Sequence, residues 1–60
     1  MIRKGSFVMA LKPHGRIWQG RYLLVADVKG NEAVVYVERN VKGKWLTTTL
    51  PKADIEEVVS

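Results

Sequence analysis

The sequence predicts an all-β domain in which five short strands curl into a small barrel, with one short helical turn before the last strand. Apolar residues recur in short extended patches that Gly, Pro and Asn separate, as expected of strands joined by tight turns. No window longer than about eight residues keeps the i, i+3, i+4 spacing of an amphipathic helix without an internal Gly or Pro. A five-stranded sheet of this length must protect two edges and a small core, and closure into a barrel protects both.

The first two strands are expected at residues 6–11 and 17–28, on either side of a basic, turn-rich loop at residues 12–16. Apolar residues occupy both alternating sides of the first segment, a pattern typical of a strand that packs on both of its faces. Gly20 interrupts the second segment and predicts a bulge or a sharp bend there, because glycine inside a strand often marks one.

Turn residues also delimit the second half of the chain. Gly30 and Asn31 predict a hairpin turn, since both residue types tolerate the positive φ that tight connections require. Gly43 lies at the centre of the next turn, and three successive threonines after it favour a pleated strand over a helix. The remaining strands and the helical turn are expected at residues 33–39 and 45–50, then 51–54 for the turn and 55–59 for the last strand.

Length and composition restrict the class of protein. The 60 residues predict one domain, 1–60, and 47% hydrophobic with 27% charged residues is a globular composition. The absence of cysteine excludes disulfides, thiolate metal sites and cysteine nucleophiles. The longest apolar runs have five residues, whereas a membrane-spanning helix needs about 20. The sequence therefore predicts a soluble, intracellular protein with no membrane contact, either cytoplasmic or associated with the nucleoid.

The net charge of +4 is distributed unevenly along the chain. Residues 1–26 contain five basic residues and no acidic one, whereas residues 27–60 contain five basic and six acidic residues. A positive surface of this kind favours a polyanionic partner, either nucleic acid or an acidic protein surface.

Two groups of basic residues each accompany a tryptophan, the first around Trp18 and the second beside Trp45. Phosphate binding needs Lys and Arg collected on one face, and aromatic rings between them stack on bases. The predicted nucleic-acid contacts are Lys12, Arg16, Arg21, Lys42, Lys44 and Trp45. Little sequence specificity is expected, because so small a surface offers few side chains to the base edges.

The aromatic residues allow both a structural and a functional interpretation. Alternation along the second segment places Trp18, Tyr22 and Leu24 on one side, with Arg21 and Leu23 on the other. For Trp18 a position in the core is preferred over an exposed platform. For Trp45 both interpretations remain open, and for Tyr36, inside an apolar run, packing is preferred.

Catalytic and metal-binding patterns are missing from the sequence. His14 is the only histidine, and its neighbours Pro13 and Gly15 favour a solvent-facing loop position. A nucleophile, a base and an orienting carboxylate are not recognisable together, and one histidine without cysteines does not make a structural zinc site. The glycines are scattered one per turn and form no phosphate-binding loop. We therefore expect no enzyme activity, no catalytic residue, no metal and no cofactor.

Four segments carry a resemblance to known proteins, namely Arg-Ile-Trp-Gln-Gly at 16–20, Tyr-Leu-Leu at 22–24, Lys-Gly-Asn-Glu-Ala-Val-Val at 29–35 and Leu-Pro-Lys at 50–52. Together they resemble an SH3-like small β-barrel, and most closely the C-terminal DNA-binding domain of retroviral integrases. The resemblance implies the barrel fold and favours DNA over RNA as the nucleic acid. The chain departs from the family after Pro51, where the integrase segment is strongly basic and residues 52–57 are net acidic.

Two further families share fragments of the pattern. Trp18-Gln19-Gly20 is similar to a step in type II dihydrofolate reductase, a homotetramer, whose pore-lining Val-Gln-Ile-Tyr motif has no counterpart here. Residues 4–8 and Lys12-Pro13 resemble the small stromal-side barrel subunit of photosystem I, which implies docking onto an acidic protein. A protein-docking or assembly subunit is thus the alternative function, with self-association into a homo-oligomer as one form, and a homotetrameric reductase ranks below it.

Overall fold

A computed structural model describes residues 1–58 and confirms an all-β fold with one short helical turn before the last strand. The elements are β1 (Phe7–Ala10), β2 (Tyr22–Lys29), β3 (Glu32–Arg39), β4 (Trp45–Pro51), a 3-10 turn (Lys52–Asp54) and β5 (Ile55–Glu57). All neighbouring strands are antiparallel, and the sheet has the order β4-β3-β2-β1-β5. Within residues 1–58, no helix has the length and hydropathy needed to cross a membrane.

The second strand begins later than the sequence predicts. Residues 17–21 belong to the loop between β1 and β2, and β2 starts only at Tyr22. Within this loop His14 and Ile17 exchange two backbone hydrogen bonds of 2.8 Å. Gly20 lies in a turn of this loop with φ of +89°, so of the two predicted alternatives the sharp bend is found and the bulge within a strand is not. Ile17 and Trp18 favour a strand, but a local turn pairs the backbone groups of Ile17 with His14 instead.

The sheet bends at two irregularities further along the chain. The register shifts between Val25 and Asp27 in β2, and again between Tyr36 and Glu38 in β3. Such bulges increase the local twist of a sheet and help it to curve around a core. Neither position carries a glycine, which explains why the sequence pattern did not indicate them.

The predicted hairpin between β2 and β3 is confirmed. Lys29 and Glu32 are paired, and Gly30 between them takes a φ of +58°. Asn31 does not share this conformation; its carbonyl oxygen instead accepts a 2.8 Å hydrogen bond from the Lys52 N–H. The hairpin is thereby attached to the start of the 3-10 turn. Residue 59, the predicted end of the last strand, lies outside the described residues.

One cluster of aliphatic side chains forms the core, and every strand contributes to it. Its nine members are Val8, Ala10, Ile17, Leu23, Val25, Ala33, Val35, Leu50 and Ile55. Residues 1–58 contain no second sheet and no long helix that would cover this inner face. The face is nevertheless buried, because the curved sheet covers it with its own strands.

The first strand is fully buried on one face only, so the prediction of packing on both faces holds only in part. Val8 and Ala10 are fully buried, whereas on the opposite side Phe7 is exposed and Met9 half-buried. The reason is architectural, since a single curved sheet has one inner face.

We expect the substitution Leu50→Ala to lower the free energy of unfolding by about 2–5 kcal/mol, because the side chain is 1% exposed and its loss leaves a cavity. Urea unfolding followed by circular dichroism measures the change. Val41→Ala provides the control, since Val41 is fully exposed and its truncation shifts stability by less than about 0.5 kcal/mol. Equal unfolding midpoints for the two variants would show that Leu50 is not part of the core.

Candidate nucleic-acid interface

None of the five aromatic side chains belongs to the buried core. Four of them lie on the outer face of the sheet, where the side chains alternate with the buried residues of each strand. They are Phe7 on β1, Tyr22 on β2, Tyr36 on β3 and Trp45 on β4. Aromatic rings are the largest apolar groups available to a small core, so their position outside it is unusual.

Three of these rings surround a shallow cavity on the sheet. Tyr22, Leu24, Tyr36 and Trp45 line it together with Arg21, and its volume is about 400 Å³. We call the four apolar residues the aromatic face. Tyr22 is 66% exposed and Trp45 54% exposed, so both rings are open to a ligand. Contiguous exposed apolar surface of this kind marks binding sites on soluble proteins.

Trp45 is held at the start of β4 by contacts with β3. Its ring meets Tyr36 edge to face, with the ring centroids 5.7 Å apart and the planes at 63°. The Arg39 guanidinium lies 5.7 Å from the Trp45 ring centroid and donates hydrogen bonds of 3.2 and 3.1 Å to the Gly43 carbonyl oxygen. These contacts fix the orientation of the indole while it remains half-exposed, and such a fixed ring is suited to stacking.

Trp18 lies outside the core, so the preferred interpretation of the sequence is wrong. It is 63% exposed, because its loop precedes β2 and the neighbouring Ile17 takes the buried position instead. The Arg21 guanidinium lies 4.9 Å from the Trp18 ring centroid and also donates a hydrogen bond to the Val37 carbonyl oxygen. Arg21 therefore joins Trp18 to the rim of the aromatic face.

Lys42 and Lys44 project from an ordered turn that leads into Trp45. The Asn40 side-chain oxygen accepts a 2.9 Å hydrogen bond from the backbone N–H of each lysine. A backbone hydrogen bond of 2.8 Å from Asn40 to Lys44 closes the same turn. Both lysines are exposed, so the turn presents two cations to solvent immediately before Trp45 in the chain.

The other two predicted phosphate contacts have carboxylate partners. The Lys12 ammonium lies 3.6 Å from Asp54, and the Arg16 guanidinium is hydrogen-bonded to Glu38. Exposed ion pairs of this kind add little stability, but each carboxylate lowers the positive potential around its partner. Of the six residues that the sequence indicates, the structure places Arg21 and Trp45 at the aromatic face. Lys42 and Lys44 lie in the turn that precedes Trp45.

His14 occupies the predicted loop, yet it is less open to solvent than expected. Its Nε2 lies 2.9 Å from Asp54 Oδ2, and the side chain is half-buried. The Asp54 carbonyl oxygen also accepts a 2.8 Å hydrogen bond from the Leu11 N–H. Asp54 thus attaches the loop between β1 and β2 to the 3-10 turn, a contact between distant parts of the chain that no local pattern indicates.

Carboxylates collect at the opposite edge of the sheet. Glu56 on β5 is exposed and pairs with Met9 of β1. Glu57 accepts a 2.7 Å hydrogen bond from the Met1 amino group. That bond, with the charge of the amino group and a hydrogen bond from Ser6, holds the pKa of Glu57 below its ordinary value. The outer side of β5 therefore carries the carboxylate of Glu56, whereas the turn between β3 and β4 carries two lysines.

Sequence reasoning missed three residues of this surface, namely Tyr22, Tyr36 and Arg39. Tyr22 and Tyr36 follow the two-residue alternation and could have been placed outside once the buried side of each strand was known. Arg39 belongs to the half of the chain whose net charge is negative, so the charge counted by segment gave no sign that it would lie beside Trp45.

No family model matches this chain, and no curated protein or solved structure shows significant similarity to it. Function must therefore be inferred from the site itself. In the described part of the chain, no three His, Asp or Glu side chains are grouped as metal ligands.

We expect Tyr22→Ser to change the free energy of unfolding by less than about 1 kcal/mol, because the ring is mostly exposed and only strand propensity is affected. Leu23→Ser, one residue further along the strand, should lower it by about 3–5 kcal/mol because Leu23 is buried. Thermal unfolding of both variants measures the difference. A Tyr22→Ser protein as unstable as the Leu23→Ser protein would show that the ring serves the fold.

Proposed function

We propose that this chain is a non-catalytic nucleic-acid-binding module that contacts phosphates with cations around the aromatic face and has little sequence specificity. The observation that carries the proposal is the aromatic face with Arg21 in its lining, Arg39 over Trp45 and a lysine-bearing turn that leads into Trp45. The cations are Arg21, Arg39, Lys42 and Lys44. Among residues 1–58, none of the four lies within ion-pair distance of a carboxylate.

Both components of this surface match what a nucleic acid offers. Cations without carboxylate partners neutralise phosphates and release the counterions bound to them, which favours association. Aromatic rings and guanidinium groups interact with the flat faces of bases. The resemblance to integrase C-terminal domains favours DNA over RNA as the partner, and the net charge of +4 is consistent with either.

A protein-docking function is the competing proposal, and the exposed Phe7 supports it. Phe7 pairs with Leu24 across β1 and β2, so the apolar surface extends beyond the region that the cations surround. An acidic protein with an apolar contact surface, or a second copy of this chain, would suit such a patch. Light scattering on the purified chain detects self-association, and a stable tetramer would favour the reductase-like alternative.

We expect binding of a labelled oligonucleotide, measured by fluorescence anisotropy, to weaken steeply as salt rises. A plot of the logarithm of affinity against the logarithm of salt concentration should have a slope of about −0.7 per neutralised phosphate for a single strand and about −0.9 for a duplex. Lys44→Ala should lower affinity and reduce the slope by about one contact.

Lys29→Ala is the matched control for Lys44→Ala, because it removes the same charge from an exposed position at the far end of β2. Lys12→Ala should also have a smaller effect than Lys44→Ala, since Lys12 already pairs with Asp54. Equal losses in all three variants would indicate attraction by net charge without a defined site. Undetectable binding to DNA and RNA at low salt would contradict the proposed function and leave protein docking.

A further inference from the structure

We propose that the aromatic face binds unpaired bases, so that the ligand is a single-stranded nucleic acid and duplex binds more weakly. This inference rests on the proposed nucleic-acid function and specifies its substrate. It is carried by the arrangement of the surface, in which apolar rings occupy the centre and cations the periphery.

The centre of the site offers contacts that a duplex does not use. The cavity of about 400 Å³ is lined by Tyr22, Leu24, Tyr36 and Trp45, with Arg21 as its one charged residue. In a duplex both faces of each base are covered by neighbouring base pairs, and the outside consists of phosphates and sugars. A phosphate placed over the faces of these rings would lose hydration and find Arg21 as its one charged partner. An unpaired base instead gains a stacking contact there.

The cations are placed where the backbone of a single strand would run. Arg21 lies at one side of the rings, next to Trp18, and Arg39 lies at the other, over Trp45. Lys42 and Lys44 lie in the exposed turn that leads into Trp45, so further positive charge is available close to it along the chain. A single strand can turn its bases toward the rings and its phosphates toward this periphery, which a duplex cannot do without unpairing.

The dimensions of the face fit a short stretch of nucleotides. Tyr22 and Trp45 lie two strands apart in the sheet order, which corresponds to about 10 Å at the usual strand spacing. Sheet surfaces with a few exposed aromatic residues stack about two or three bases in RNA-recognition domains. We infer contacts of similar extent here, with Tyr22 and Trp45 as the two most exposed rings of the face.

The experiment compares an oligothymidine of about 20 nucleotides with a duplex of the same length, at one salt concentration, using anisotropy. The single strand should bind at least about tenfold more tightly, which is the contribution expected from stacking one base on one ring. An oligouridine of equal length forms a second arm, which distinguishes DNA from RNA as the source of the unpaired bases.

Substitutions separate stacking from attraction by charge. Tyr22→Leu keeps an apolar side chain but removes the ring, and it should weaken single-strand binding about tenfold while changing duplex binding less than about twofold. Lys42→Ala should weaken both ligands to a similar extent. In a Trp18→Phe background Trp45 is the only tryptophan of the chain, so quenching of its fluorescence reports directly on stacking at the aromatic face.

Each outcome decides one of the two proposals. Tighter single-strand binding, with quenching of Trp45 and selective loss in Tyr22→Leu, supports the inference. Equal or tighter duplex binding overturns the inference and leaves the proposed function intact. Single-strand binding without quenching, and without an effect of Tyr22→Leu, also overturns it, because the bases then lie elsewhere. Binding to neither ligand would reject the proposed function itself.

Discussion

Burial of one face of a single curved sheet is the constraint on which the rest of this structure depends. A domain of about this size buries only roughly 60% of the surface that its unfolded chain exposes, so few side chains form the core. Here nine aliphatic residues form it, and they come from all five strands and from the loop at Ile17. Two-residue alternation then determines which side chains must face outward. The aromatic face is the direct consequence of that alternation on β2, β3 and β4.

The strands and turns could largely be predicted because their signals are local. Gly30 and Gly43 both take positive φ in the turns where the sequence places them, and the strands around these turns start or end within one residue of their predicted limits. The failures arise where the outcome depends on contacts between distant residues. Ile17 and Trp18 favour a strand, but the bridge between His14 and Ile17 keeps residues 17–21 in a loop. That bridge depends on how the loop folds back, which the propensity of single residues does not describe.

The candidate site could be predicted only in part, for a related reason. Charge counted along the chain identifies the first 26 residues as the positive region. Folding then brings Asp54 to Lys12 and Glu38 to Arg16, so part of that charge is locally compensated. It also brings Arg39, from the acidic half of the chain, over the ring of Trp45. The net charge of a chain segment therefore predicted only part of the charge distribution on the folded surface.

The placement of the aromatic residues conflicts with what stability alone would favour. Phe, Tyr and Trp contribute more apolar surface to a core than any other residues, and a small domain has little stability to spare. This chain nevertheless builds its core from Ala, Val, Leu and Ile and leaves all five aromatic side chains outside it. Local choices that oppose the needs of the fold are expected where a residue serves binding instead. Three of the five, Tyr22, Tyr36 and Trp45, lie together on the outer face of β2, β3 and β4, and this placement is the physical ground for the binding function that we propose.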